Sequence, residues 1–431
     1  MTDLLERSAR FIDDDTYEGP RSINPVDGQL NEVGDGIAMV TAFSHVVALS
    51  TDDGLLLFDT SGGPFGDAVV EALDAWADDP VHTVVYTHGH LDHVGGGGAI
   101  RDRTVERGAP PPHVVGHARV PVRFDRYHLT AGWNATINAR QFGGRRVRIA
   151  DAWTVDWVRP DTVVEDRLDL GVGGLRVELR HALGETDDHL WAWLPERRIL
   201  CTGDFLIWVF PNAGNPQKVQ RYPSEWAAAL REMAALEPEL LCPAHGLPIA
   251  GTDRIQRVLG ETATVLEDLV SQTLALMNDG AGLDTILHTV RPPEGLMDRP
   301  YLRPTYDEPE FVVRNIWRLY GGWYDGNPAN LKPAPEDVVA VELARLAGGS
   351  AALALRAQEV ADAGDLRLAC HLVELAARAT PTSTEIHAAR AEIYRRRRDE
   401  ETSLMSKGVF GEAAERSAAI ATEGEEPSES P

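Results

Sequence analysis

Residues 86–98 read YTHGHLDHVGGGG, so His88, His90, Asp92 and His93 put three imidazoles and a carboxylate into six positions. Imidazole and carboxylate are the ligands of zinc and its neighbours in the first transition row. A loop can turn His88 and His90 towards one point, while Asp92 and His93 face a second point nearby. The glycines at 95 to 98 remove side-chain bulk where the backbone must pass close to such a cluster. A binuclear site needs more donors, and three are available downstream. Glu185 lies in ALGETDDHL, Asp204 in CTGD and His245 in CPAHG, each beside a glycine at the end of an expected strand. Directly after Asp204 the chain reads FLIWVF, apolar and aromatic; Trp208 and Phe210 are the candidate walls for an apolar part of a substrate, a buried strand being the alternative.

These groups must be held by elements that the patterning predicts. IAMVTAFSHVVALSTDDGLLLFDTS reads as two strands around a turn at Asp52-Asp53-Gly54. DAVVEALDAWA has helical spacing, and VHTVVYT is a short β-rich run that leads into the ligand loop. PHVVGHA, LRVELRHAL, HLWAWLP and RRILCTGD are further strands. SEWAAALREMAAL is a helix with Ser224 placed as N-cap, and LLCPAHG closes the region. The first 35 residues read as an irregular arm. From about residue 253 the pattern is helical throughout: a long run ending at glycine, then alanine- and leucine-rich hairpins over 336–418. The division expected is therefore an arm over 1–35, a catalytic domain over 36–252, a TPR-like helical domain over 253–418 and an acidic, disordered tail over 419–431.

Bulk properties restrict the partners. The 431 residues carry 41 basic and 67 acidic groups, a formal charge of −26, which argues against nucleic acid and against an anionic membrane surface. An anionic substrate would have to be attracted locally, for instance by a metal ion. The N-terminal stretch has no basic and apolar leader, and no apolar run is long enough to span a bilayer. The three cysteines, Cys201, Cys242 and Cys370, are scattered, which fits a reduced, cytoplasmic setting.

The order His-x-His-x-Asp-His, then TGD, then PAHG resembles the metallo-β-lactamase fold hydrolases. The resemblance implies an α/β fold: an αββα sandwich, here followed by an all-α domain. It assigns His88 and His90 to one metal, Asp92, His93 and His245 to the other, and Asp204 to a bridge, with Asp92 and Asp204 as catalytic carboxylates. Relatives carry Pro-Gly-His-Thr where this chain has Leu183-Gly184-Glu185-Thr186. Glutamate in the histidine's place is similar to the alkyl sulfatase (type III sulfatase) branch. LYGGWYDGNPANLKP and LAGGSAALALRAQEVADAGDLRLACHLVELA resemble that branch's helical dimerisation domain, which implies a homodimer. A further sterol-carrier-like domain of that branch is not expected here. The branch holds sulfate with an asparagine and an arginine after the bridging carboxylate. In this chain Asn212 and Asn215 are the candidates, and no arginine precedes Arg221. AGWNATINARQFGG resembles another segment near the branch's site, which adds Asn138 and Arg140.

The expected chemistry is cleavage of an alkyl sulfate to alcohol and sulfate by water activated on two zinc ions. Manganese or iron are the alternatives, since the carboxylate of Glu185 hardens one site. Three carboxylates against two divalent ions leave one positive charge fewer than a histidine at 185 would. The alternative substrate is a carboxylic ester, lactone or thioester on the same fold. A diiron oxidoreductase ranks lower, because a carboxylate would be expected where His90 stands. A non-catalytic binding protein is disfavoured by the retention of every ligand position.

Overall fold

The computed structural model describes residues 3–142 and 153–423. Its contacts divide the chain into two compact units, Met1–Ala131 with Ala150–Gly322, and Gly132–Ile149 with Trp323–Pro431.

The first unit is built on two sheets. The first has seven strands in chain order: β1 Leu30–Gly34, β2 Ile37–Val40, β3 Val46–Thr51, β4 Gly54–Phe58, β5 Val81–Val85, β6 His113–His117 and β7 Thr162–Val164. β1 to β4 pair antiparallel, and β4 to β7 parallel. The second contains β8 Arg167–Val172, β9 Leu175–His181, β10 Leu190–Leu194, β11 Ile199–Gly203, β12 Leu240–Pro243 and β13 Ile249–Ala250, ordered β13-β12-β11-β10-β9-β8. Leu49, Phe58, Val85 and Val115 of one sheet share a buried cluster with Val177, Leu179, Leu190 and Cys201 of the other. Each such side chain removed from water contributes about 1.5–3 kcal/mol. The LWAWL of β10 shows how period-two alternation serves two layers. Leu190, Ala192 and Leu194 enter the core between the sheets. Trp191 and Trp193 enter a second core that includes residues of the helices Pro223–Ala235 and Thr252–Asn278. The result is the expected αββα sandwich.

Three expectations change. The N-terminal arm contains a helix, Asp3–Asp14, which buries Leu4, Leu5, Ser8, Phe11 and Ile12. Helical spacing was present there, but the acidic run around it obscured the pattern. The helix expected to start at a Ser224 cap begins at Pro223, with Tyr222 as N-cap and no side-chain capping bond; proline is well suited to a first turn. The helix Thr252–Asn278 buries Ile255, Val258, Leu259 and Leu266 in the core of the first unit. The compact units therefore part after Gly322 rather than at residue 252.

The second unit is helical. Glu336–Leu346, Ser350–Asp362, Leu366–Ala379, Thr384–Glu400 and Leu404–Glu423 succeed one another, with Asp365 and Ser383 capping two of them through their side chains. Val360, Val373 and Ile393 form one of its cores. The last helix runs past residue 419 to Glu423, and the rest of the expected tail, 424–431, lies outside the described residues. Ala131–Phe142 is also a helix, and most of it groups with this unit. A Cβ on Gly408 would sit 1.9 Å from the carbonyl oxygen of Gln141, so only glycine permits that approach.

Candidate metal centre

Strands β5, β11 and β12 end beside His88, Asp204 and His245, and the connection from β9 to β10 carries Glu185. Buried strands thus deliver four loops to one place. One donor atom each from His88, His90, Glu185 and Asp204 lie within 4.8 Å of one another, and the same holds for Asp92, His93 and His245. Asp204 faces both groups. Its Oδ2 is 3.9 Å from His88 Nε2 and 3.4 Å from His93 Nε2, and its Oδ1 is 3.7 Å from His245 Nε2. His245 Nε2 is also 3.3 Å from Asp92 Oδ2. His88 Nε2 and His90 Nδ1 lie 2.8 Å apart. Within the glycine run the tight passage is at Gly95–Gly97 and lies against other backbone and Tyr86 rather than the cluster: a Cβ on Gly96 would lie 2.1 Å from the Thr60 carbonyl oxygen, whereas one on Gly98 would meet nothing within 4 Å.

Partners outside the cluster fix which nitrogen His93 and His88 present. Asp59 Oδ2 accepts from His93 Nδ1 at 2.7 Å, which leaves Nε2 as the lone-pair nitrogen turned to the cluster. Asp59 also accepts from the backbone N–H and the hydroxyl of Thr87. That hydroxyl, its proton committed to Asp59, takes the Nδ1 proton of His88 at 3.1 Å. His189 Nε2 accepts from the Asp204 N–H at 3.2 Å, and its ring stacks on Phe205. Gly203, at φ +53°, closes this corner, where a Cβ would sit 2.6 Å from His189 Nε2.

The charges ask for a cation. Burial, then neighbouring imidazoles for His88 and the arginines 123 and 221 for His90, hold these two far below the ordinary imidazole value, so both are neutral donors. Burial raises Glu185 well above the carboxylic range, with Asp204 adding to it and Arg221 opposing. Burial works the same way on Asp204, but His93 and His245 outweigh it and hold that carboxyl well below its ordinary value. His93 Nε2 and Asp204 Oδ1 are buried without hydrogen-bond partners. Buried, unsatisfied donors of this kind are costly unless something binds them. The donor set therefore fits divalent cations.

The remaining candidates are placed as follows. The Asn212 side-chain amide donates to Glu185 Oε1. Asn215 donates its backbone N–H to Asp307, accepts from Gln217, and keeps a buried Nδ2 with no partner. Trp208 and Phe210 are fully buried in the core, and the Trp208 indole donates to the Leu247 carbonyl at 2.7 Å. Asn138 and Arg140 stand on the helix grouped with the second unit, where the Asn138 amide donates to the Asn134 carbonyl. Several neighbours had no signal in the motif. Asp188 accepts from Gly89, between the first two histidines, and from Arg123. Arg221 pairs with Glu185. Lys218 is half-buried, its ammonium 5.9 Å from the Trp153 ring centroid. Burial, then Arg221, pushes Lys218 down to about 8, against Asp92 and Glu185. Burial raises Tyr306, with Glu185 and Asp92 contributing.

The metallo-beta-lactamase superfamily model matches residues 40–245, which carry most of the sandwich and a His/Asp/Glu cluster suited to divalent metal. Residues 283–419 match the alkyl sulfatase dimerisation family. The chain thus joins a metallo-beta-lactamase domain to an alkyl sulfatase dimerisation domain. It is 26% identical over 345 residues to a linear primary-alkylsulfatase of Pseudomonas sp. (strain ATCC 19151), covering 75% of this chain and 64% of that one. An (R)-specific secondary-alkylsulfatase of Pseudomonas sp. is 27% identical, covering 81% and 56%. An alkyl/aryl-sulfatase of Saccharomyces cerevisiae is 26% identical, covering 70% and 50%. The chain spans about half to two thirds of the length of these curated relatives. The fold matches the solved stereoselective inverting sec-alkylsulfatase Pisa1 from Pseudomonas sp. with a TM-score of 0.80 at 22% identity, covering 96% of this chain and 70% of that one.

Proposed function

We propose that this protein hydrolyses an alkyl sulfate ester to alcohol and sulfate, using two divalent cations, zinc first among them, held by His88, His90, Glu185, Asp92, His93 and His245 with Asp204 between. The observation that carries the reading is Glu185, a carboxylate gathered with His88, His90 and Asp204 in a chain whose curated relatives are alkylsulfatases. Cations bound there would lower the pKa of a water to about 7 and offset charge on the ester oxygens.

The chain's own residues do the rest. Asp92 and Asp204 stay ionised and face into the cluster, where they hold and orient its positive charges. Lys218 puts an ammonium within electrostatic reach of Asp92 and Glu185, which favours an anionic ester over a neutral one. The unpartnered Nδ2 of Asn215 is the donor offered to a sulfate oxygen, since the amide of Asn212 is taken by Glu185. Phe43 is half exposed, packs edge-on against His245 at 5.8 Å and lies 6.5 Å from Phe65. It offers apolar surface for the alkyl part, a role that the burial of Trp208 and Phe210 gives less support. Asn138 and Arg140 remain candidates for further substrate contacts.

The helical domain is read as a homodimer contact, supported by the dimerisation-family match and by the exposed Trp323, Leu346 and Leu355. Free cysteines, two of them buried, support a reduced, cytoplasmic setting, and among the described residues no single helix is long and apolar enough to cross a membrane. Activity against a panel of alkyl sulfates and acyl esters tests the reading. Turnover should be confined to the sulfates, vanish on exhaustive chelation and return with added metal. Turnover of the acyl esters alone would replace it with the carboxylic ester reading.

A further inference from the structure

Resting on the sulfatase reading, we infer that Arg221 is the charge partner of Glu185, restoring from outside the ligand set the positive charge that a carboxylate in a histidine's place removes. Arg221 is 1% exposed. Its Nη1 donates to the Glu185 carbonyl, and its Nη2 lies 3.3 Å from Glu185 Oε1. The Asn212 amide donates to that same oxygen. One carboxylate oxygen is thus held by two donors while lying 3.7 Å from His90 Nδ1. The arginine is itself anchored: its N–H donates to Asn315 Oδ1 at 3.2 Å, and Asn315 Nδ2 donates to its carbonyl at 2.9 Å.

Charge counting gives this pairing a purpose. Two divalent ions with Asp92 and Asp204 alone would carry 2+. Glu185 lowers that to 1+, and Arg221 returns it to 2+. A buried pair feels its charges strongly because water does not screen them. The glutamate can then serve as an oxygen ligand without loss of the field that attracts a sulfate monoester.

The test measures binding of inorganic sulfate to the metal-loaded protein by calorimetry, with metal content from elemental analysis. Arg221→Gln should weaken sulfate binding about tenfold with both ions retained, and Glu185→His should strengthen it about tenfold. Combining the two should return affinity to within about threefold of the unmodified protein, because the net charge is again the same. Arg221→Lys, which keeps the charge and controls for folding, should also stay within about threefold. The inference is overturned if the double variant binds as weakly as Arg221→Gln, as direct contact between Arg221 and sulfate would require. It is equally overturned if Arg221→Gln binds normally or loses a metal ion. Absence of alkyl sulfate turnover in the unmodified protein would remove the functional reading and leave this charge balance intact, since sulfate binding is read without catalysis.

Discussion

Replacing Asp188 by asparagine probes how the ligand loop is held. Asp188 is fully buried, and its Oδ2 accepts from Gly89 N–H at 3.1 Å and from Arg123 Nε at 2.7 Å, while Oδ1 accepts from Arg123 Nη2 at 2.8 Å. Breaking a buried ion pair costs about 3–5 kcal/mol when the surviving charge is stranded. Here Asp187 also pairs with Arg123, at 2.6 Å, so the lower end, about 3 kcal/mol, applies. A second route gives a similar size. Arg123, together with bonds from Thr186 and Gly89, overcomes burial and holds the Asp188 carboxyl at about 2 against an ordinary 3.8. At 1.36 kcal/mol per pH unit that is roughly 2 kcal/mol at neutral pH. The sign follows from the depressed folded value. Below pH 4 the unfolded chain takes up the proton first, so this stability is present above that pH and is lost as pH falls towards 2. Urea unfolding followed by tryptophan fluorescence at pH 7, 5 and 3 should show the variant about 3 kcal/mol weaker at pH 7. The gap should narrow by about 1 kcal/mol between pH 5 and 3. A variant within 0.5 kcal/mol of the unmodified protein, or a gap that stays constant with pH, would refute the assignment of Asp188 as the charged anchor of the His88–His90 loop.

Two further substitutions test the supporting residues. Asp59→Asn removes the acceptor that fixes the His93 tautomer and should weaken metal affinity about 10- to 100-fold, read by chelator competition; unchanged affinity would mean that the Ser44 hydroxyl, 3.2 Å from His93 Nδ1, suffices. Lys218→Ala should raise KM for alkyl sulfates about tenfold or more while metal content holds, and an unchanged KM would exclude the ammonium from substrate recognition.

The local motif already names the chemistry. His88 and His90 sit on a short loop and Asp92 and His93 on the helical turn Leu91–Val94 that follows it, and Asp204 and His245 each follow a strand with its own glycine, so residue type and period-two patterning were sufficient to propose them. The αββα layering was equally legible, because alternation in strands such as LWAWL reports two buried faces. The N-terminal helix was missed although its apolar residues recur at helical spacing, since acidic neighbours hid the pattern. What the sequence could not show is the set of groups that orient the ligands. Asp59 meets His93 across 34 positions, Arg221 meets Glu185 across 36, and Asp188 meets Gly89 across 99. A single carboxylate or guanidinium has no periodicity and no local partner to betray it. Its role arises only when sheet pairing and helix packing bury it beside an opposite charge, where leaving it alone would cost several kcal/mol. Folding likewise moved Trp208 and Phe210 into the core, because an apolar run reads the same whether it lines a pocket or fills the space behind one.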